Sequence, residues 1–92
     1  MSFQWDPRKA ARNARKHRVS FDEATSVFLD PWAITYDDPD HSLGESREIT
    51  IGCTLKGRIL FVSHTDRGTW TRIISARPAT RAERKEYEKA VD

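Results

Sequence analysis

A run of arginines follows the most apolar strand that the sequence predicts. The segment IISARPATRAERKEY begins as a strand, breaks at Pro78 and resumes as a charged helix. Guanidinium groups bind phosphate through two parallel hydrogen bonds, which lysine cannot do. Two or three of them around one phosphodiester could stabilise the charge that develops when it is cleaved. The alternative is that each arginine pairs with an acid, as Arg77 could with Glu83.

Two other arginines lie on predicted strands. Arg47 alternates with Ile49 and Ile51, which places its side chain on the core side of a sheet or at its rim. Arg72 alternates with Ile74 along the last strand, and Arg77 falls on the opposite face. Because arginine is seldom buried alone, these side chains either form ion pairs or converge on an anion at a sheet edge.

The first predicted helix carries a polar stripe. The side chains that it offers to the core are chiefly the alanines Ala10, Ala11 and Ala14. Polar residues that recur every three or four positions share one helix face. Those residues are Lys9, Asn13, Lys16 and His17. Their face either contacts phosphate, with His17 as a titratable group, or is an ordinary solvated surface.

A histidine stands near the end of the central predicted strand. His64 is followed by Asp66 and Arg67 in a turn, an arrangement that suits a general acid or base. A lone histidine there is more often a satisfied surface residue. The three histidines and Cys53 lack metal-ligand spacing, and no glycine-rich phosphate loop or nucleophile elbow occurs. We therefore expect neither a metal nor a cofactor.

Composition predicts one small soluble domain over residues 1–92. Hydrophobic residues make up 37% of the chain and charged residues 33%. No segment approaches the roughly 18 apolar residues of a membrane span, and the N-terminus lacks the apolar run of a signal peptide. Because the single Cys53 cannot form an internal disulfide, we expect the protein in the reducing cytoplasm.

Charge is distributed unevenly along the chain. The net charge is +2, but residues 1–20 carry six Lys or Arg against one acid, and residues 21–50 carry eight acids against Arg47. This segregation favours a basic surface for a polyanion and an acidic surface for a basic partner. Ordinary solvated faces would explain it equally well.

The hydrophobic period is helical, then strand-like, then helical again. Helix starts are indicated by Asp6-Pro7 and by capping boxes at Ser20–Glu23 and Thr80–Glu83. The predicted order is a strand near residues 3–5, helices over 7–17 and 20–30, strands over 32–36, 45–54, 58–64 and 70–77, and a final helix. This order predicts an α+β fold with a short N-terminal strand, two helices, a four-stranded antiparallel meander and a C-terminal helix.

Several apolar side chains are assigned to the core on this pattern. The aromatic residues Trp32, Tyr36 and Trp70 could stack on bases, but in so small a domain we expect them in the core. The last helix is expected to turn Tyr87, Ala90 and Val91 inward.

Three segments in order carry a recognisable pattern: FQWDPRKAARNARKHRVSFDEATSVFLD, GESREITIG and RIISARPATRAERKEY. Together they resemble the BrnT toxins of bacterial type II toxin–antitoxin systems. The resemblance covers nearly the whole chain and is missing clearly only around residues 32–42. One departure is Arg18, at a position that is often glycine, where a left-handed helix cap would be slightly strained.

The resemblance implies a RelE-like fold and a ribonuclease that halts translation. It also implies a BrnA-type antitoxin that dimerises, binds the toxin and represses the shared operon at its operator DNA. Metal-free cleavage would need the 2′-hydroxyl deprotonated, the phosphorane charge neutralised and the 5′-oxygen protonated. Candidates for proton transfer are Lys16, His17, Glu45 and His64, but we place most weight on the arginines. The implied catalytic residues are Lys16, His17, Glu45, Arg47, Arg67, Arg72 and Arg77, and the implied substrate-binding residues are Lys9, Asn13, His64 and Ser75.

The main alternative is a protein that binds without cleaving. A non-enzymatic nucleic-acid-binding module, or an inactive toxin that still binds its antitoxin, fits the same residues. Arg→Lys changes at Arg47 and Arg77 would separate these cases, since a phosphoryl-transfer site needs the guanidinium fork. The acidic loop Asp37–Asp40 is either a contact for a basic antitoxin segment or a solvated turn.

Overall fold

The computed structural model describes residues 1–40 and 46–92, and side-chain caps fix where its helices begin. The Asp6 carboxylate accepts a hydrogen bond from the Arg8 N–H at 2.8 Å, at the start of helix α1 (Pro7–His17). Thr80 and Glu83 form a complete capping box at helix α3 (Arg81–Val91). The α+β class predicted from the sequence is confirmed.

The other predicted capping box, at Ser20–Glu23, is only half formed. Ser20 Oγ accepts the Glu23 N–H at 3.0 Å and starts helix α2 (Phe21–Thr25), which continues as a 3₁₀ turn over Ser26–Leu29. The Glu23 carboxylate does not return to Ser20. It accepts hydrogen bonds from Arg58 and Thr54 instead, because it is buried and needs partners there.

Five strands form one mixed sheet. They are β1 (Ser2–Gln4), β2 (Ile34–Asp37), β3 (Arg47–Cys53), β4 (Ile59–Arg67) and β5 (Trp70–Pro78). The spatial order is β1-β5-β4-β3-β2, with antiparallel pairing throughout except between β1 and β5, which are parallel. Strand β4 extends three residues past its predicted end, and β2 begins two residues late.

The two faces of the sheet have separate cores. On the first face, α2 and its 3₁₀ turn pack against β4 and β5, with these buried residues: Val19, Phe21, Ala24, Val27, Leu60, Val62, Ile73 and Ala76. On the second face, Tyr87 of α3 packs against Ile49 and Ile51. Tyr87 also donates to the Asp30 carboxylate at 2.6 Å, and the same carboxylate accepts the Cys53 N–H at 2.8 Å, which links α3 to the end of β3.

A β-bulge changes which residues of β5 share a face. Ser75 pairs with Ser63 and Ile73 with His64, so Ile74 is an extra residue without a cross-strand partner. The predicted alternation fails beyond this point. Arg72 and Arg77, predicted on opposite faces, both lie on the second face because their partners in β4 do.

Several core assignments from the sequence are wrong. Among the residues of α1, Asn13 is buried, whereas Ala11 and Ala14 are exposed. Three aromatic residues that we assigned to the core are exposed. Trp32 lies in a turn, Tyr36 lies on the edge strand β2, and Trp70 lies at the start of β5. In α3 only Tyr87 is buried, and Ala90 and Val91 are exposed.

Arg18 adopts the left-handed conformation that its position suggests. Its backbone angles are φ 57° and ψ 37°, and its N–H donates to the Ala14 carbonyl at 3.0 Å to close α1. A side chain in this region costs about 1–2 kcal/mol relative to the right-handed region. Arg58 donates to the Arg18 carbonyl at 3.1 Å, which helps to hold the cap in place.

In the described part of the chain, no helix combines the length and the apolar character that crossing a membrane requires.

Candidate active site

Asn13 fixes α1 against the free edge of β5. Because β1 pairs only with Trp70–Arg72, the backbone of Ala76 has no strand beside it on that edge. The Asn13 amide takes that place: Nδ2 donates to the Ala76 carbonyl at 2.8 Å, and Oδ1 accepts the Ala76 N–H at 3.1 Å. Nδ2 also donates to the Val19 carbonyl at 3.0 Å. Both amide hydrogens are therefore used within the protein.

A groove of about 320 Å³, the basic groove, runs between α1 and this edge of the sheet. Its cationic lining residues are Lys9, Arg12, Lys16 and Arg47. The remaining lining residues are His17, Asn13, Ile74 and Ser75. In the ranges that the structure describes, none of the four cations forms an ion pair.

The chemistry of the basic groove suits a bound anion. Four positive charges without an ion-pair partner among the described residues attract a polyanion, and desolvation within a groove strengthens that attraction. The Arg47 guanidinium can grip phosphate oxygens through two hydrogen bonds. His17 is half-buried at the end of α1, and its imidazole lines the groove beside the cations.

The structure brings together six of the residues selected from the sequence. Those lining the basic groove are Lys9, Asn13, Lys16, His17, Arg47 and Ser75. Two further lining residues, Arg12 and Ile74, were missed. Arg12 lies three positions after Lys9 and four before Lys16, so helical spacing could have identified it. Ile74 reaches the groove because of the bulge, which no sequence pattern indicates.

Two further candidates, Arg72 and Arg67, lie elsewhere. Arg72 and Arg47 both pair with Thr65, which lies between them on β4. The backbones of the two arginines are therefore about 10 Å apart. Arg67 is exposed at the far end of β4, opposite Trp70. Neither side chain lines the basic groove. Glu45 falls outside the described residues.

A model of the protein family described as "Ribonuclease toxin, BrnT, of type II toxin-antitoxin system" matches residues 5–83. This match includes all six of the predicted residues that line the basic groove. The chain belongs to the BrnT family of ribonuclease toxins. Membership implies an RNA target and an antitoxin partner.

The fold is also similar to that of a solved BrnT structure. The 1.1 Å crystal structure of the Brucella abortus ribonuclease toxin BrnT is 25% identical in sequence and superimposes with a TM-score of 0.71. The similarity covers 88% of this chain and 99% of the Brucella chain. No curated protein matches the sequence.

In this BrnT-family chain, Arg77 lies outside the lining of the basic groove and forms an ion pair with Glu83. Its Nη1 and Nη2 donate to the two Glu83 carboxylate oxygens at 2.8 and 3.0 Å, and its guanidinium lies 3.9 Å from the centroid of the Phe61 ring. This ion pair holds the pKa of Glu83 below its usual value. The arginine at the strand exit thus fixes the start of α3, which is the structural alternative that the sequence left open.

Replacing Arg77 with alanine is expected to destabilise the protein by about 1–2 kcal/mol, since a bidentate but partly exposed ion pair is lost. Because the folded pKa of Glu83 is depressed, this contribution is present above about pH 4.5 and is lost as the pH falls through the folded pKa. Urea unfolding at pH 7 and pH 3 measures both effects. The control is Lys85→Ala on the same helix, and a loss as large in Lys85→Ala would contradict the assignment.

His64 is buried on the first face, away from the basic groove. Its Nε2 lies 2.7 Å from Thr50 Oγ1, and the Phe28 ring meets it edge-on at 4.9 Å between centroids. Burial lowers the pKa of His64 to about 4, and attraction to Asp66 offsets this only in part. The structure thus places His64 outside the lining of the basic groove, and its role in substrate binding or proton transfer stays a prediction.

We expect the stability of the protein to fall between pH 6.5 and pH 4 because of His64. The folded pKa lies below the unfolded value, so the stability conferred by the neutral ring is complete above about pH 6.5 and is lost progressively towards pH 4. The loss at pH 4 is about 2–3 kcal/mol. The urea midpoint of wild type should fall relative to that of His64→Gln, which cannot titrate. If the urea midpoints of wild type and His64→Gln changed equally with pH across this range, His64 would not be a buried neutral histidine.

Proposed function

We propose that this chain is an endoribonuclease that binds the scissile phosphate of RNA in the basic groove. The observation that supports this most strongly is the set of four cations around His17, none paired with a described acid. An ordinary solvated face would mix both signs of charge. Here the lining side chains of α1 and β3 carry only positive charge, as a site for a phosphodiester requires.

In the proposed reaction the 2′-hydroxyl of the RNA attacks the adjacent phosphorus. The oxygen–phosphorus bond that forms closes a 2′,3′-cyclic phosphate, and the bond to the 5′-oxygen breaks. Arg47 and Arg12 would neutralise the charge that develops on the phosphorane oxygens. His17 and Lys16 would exchange protons with the attacking and departing oxygens. Phosphate positioning contributes the larger part, in line with the weight on cations that the sequence suggested.

The proposed reaction is independent of a metal ion. Divalent ions that assist phosphoryl transfer are held by carboxylates, and no carboxylate among the described residues lines the basic groove. Four cations would also repel such an ion. The charge that a metal would neutralise can be met by Arg47, Arg12, Lys9 and Lys16.

We further propose that residues 1–92 act as a single RelE-like toxin domain in the cytoplasm, controlled by a dimeric BrnA-type antitoxin. An antitoxin that covers the basic groove would block RNA directly. The acidic stretch Asp37–Asp40 offers a second contact for a basic antitoxin segment. Repression at operator DNA would then act through the antitoxin.

The test is cleavage of a labelled RNA by the purified protein in excess EDTA. We expect fragments that end in 2′,3′-cyclic phosphate, and strongly reduced cleavage by Lys16→Ala. The matched control is Lys85→Ala, which removes an exposed lysine outside the groove. If free RNA is not cleaved, the same proteins are assayed on translating ribosomes. Absence of cleavage in both assays would refute the proposed function.

A further inference from the structure

A second cavity of about 240 Å³, the serine cavity, adjoins the basic groove on the second face of the sheet. The two share Arg47, Ile74 and Ser75 as lining residues, so a ligand can extend from one into the other. The volume is below the roughly 300–1,000 Å³ of pockets for drug-sized ligands. The serine cavity therefore suits a small, flat group such as one nucleobase.

Ser63 is the most informative residue of the serine cavity. Its side chain is only 7% exposed, and it lines the cavity between Ile49 and Ser75 in the cross-strand row. Its hydroxyl has no hydrogen-bond partner within residues 1–40 and 46–92. Because no fully buried side-chain oxygen among the described residues lacks a partner, the Ser63 hydroxyl must be open to the cavity, where it can bind a polar atom of a ligand.

The sign of the charge differs between the two cavities. The basic groove is cationic, whereas the far side of the serine cavity carries the carboxylates of Asp38 and Asp40. The Asp38 N–H donates to the Arg47 carbonyl at 2.9 Å and its carboxylate accepts the Asp40 N–H at 3.0 Å, which holds this stretch in place. A phosphate would be repelled here. A group that presents N–H donors would be attracted.

Apolar side chains complete the serine cavity. Ile49, Phe61 and Ile74 line it. Nucleobases combine an apolar face with a polar edge, and single-stranded RNA is recognised through stacking of the face and hydrogen bonds to the edge. Apolar walls together with carboxylate and hydroxyl acceptors match this combination.

We propose that the serine cavity binds the nucleobase next to the phosphate held in the basic groove, and that it selects guanine. Guanine presents two adjacent donors on its Watson–Crick edge, N1–H and the N2 amino group, which one carboxylate can accept together. Adenine, cytosine and uracil each place an acceptor beside their donor. The exposed Asp40 carboxylate is the acceptor for this edge, and Ser63 binds a further polar atom of the base. The inference rests on the proposed function, since it assigns a sequence preference to the same site.

The test measures binding by short oligouridines that carry 2′-O-methyl groups, so that they cannot be cleaved, with one guanine placed at each position in turn. We expect guanine at one position to raise the affinity of wild type about tenfold. Asp40→Asn should reduce that preference to less than about threefold, because its amide no longer accepts both donors. Ser63→Ala should reduce it in part. Asp37→Asn is the control, since Asp37 does not line the serine cavity.

Three results would overturn the proposal: wild type without a guanine preference at any position, a preference that survives unchanged in both Asp40→Asn and Ser63→Ala, or no binding of any oligonucleotide. Replacing guanine with inosine, which lacks the N2 amino group, should also weaken binding. The readout separates the two proposals. Selective binding without cleavage of unmodified RNA, either free or on translating ribosomes, would refute the ribonuclease and retain the base site. Cleavage without base preference would do the reverse.

Discussion

Replacing Arg47 with alanine is expected to lower kcat/KM for RNA cleavage by about 10²–10³-fold, the range seen when a preorganised donor to a developing oxyanion is removed. Arg47 lines both the basic groove and the serine cavity, where it can contact the phosphate and orient the adjacent nucleotide. Its guanidinium forms no ion pair with any described residue, so its charge is available to RNA.

Two variants make this prediction specific. Arg47→Lys keeps the charge but loses the bidentate geometry, and should recover only part of the rate. Arg77→Ala removes an arginine from the same face of the sheet whose guanidinium is already bound to Glu83, and should keep its rate at a temperature where it remains folded. Single-turnover cleavage measures all three. If Arg47→Ala and Arg77→Ala lost the same share of the cleavage rate, the assignment of Arg47 to phosphate binding and of Arg77 to the fold would be contradicted.

Local signals in the sequence predicted the elements well. The caps at Asp6, Ser20 and Thr80 all accept the backbone N–H that their positions suggest, because such bonds span only two or three residues. The helix α1 face that carries Lys9, Lys16 and His17 was likewise predictable from spacing alone. These three side chains share the groove because they share a helix.

Contacts between distant segments were not predictable. Glu23 leaves its capping box for Arg58, 35 residues away, because a buried carboxylate is better satisfied by a guanidinium than by one N–H. His64 and Asn13 read as polar surface residues, yet Thr50 and Ala76 supply hydrogen bonds that allow both to be buried. A single sequence indicates which residues are polar, but it does not indicate which polar partner the fold will bring to them.

The bulge at Ile74 is a second kind of feature that the sequence did not predict. Strict alternation assigned Arg72 and Arg77 to opposite faces, and one extra residue reversed that assignment for part of β5. A bulge leaves no residue-type signal when the inserted residue is isoleucine, since it needs no glycine-specific conformation. Its consequence for the site is direct, because Ile74 and Ser75 both line the basic groove and the serine cavity.

Replacing Asn13 with alanine is expected to destabilise the protein by about 3–4 kcal/mol, since each of its three buried hydrogen bonds contributes about 1–1.5 kcal/mol. Without the amide, the N–H and carbonyl of Ala76 and the carbonyl of Val19 lose their partners. The melting temperature of a chain of this size should fall by roughly 15–25 °C. Urea unfolding at neutral pH, with the midpoint converted to a free energy, gives the same quantity independently.

The adjacent variant Arg12→Ala should behave in the opposite way. Arg12 is exposed, forms no hydrogen bond within the described residues and lines the basic groove. We expect its free energy of unfolding to stay within about 0.5 kcal/mol of wild type while RNA cleavage falls. If the urea midpoint of Asn13→Ala instead equalled that of wild type while RNA cleavage was lost, Asn13 would be a substrate ligand, as the sequence suggested. The pair therefore separates the residue that holds the helix against the sheet from the residue that presents charge to RNA.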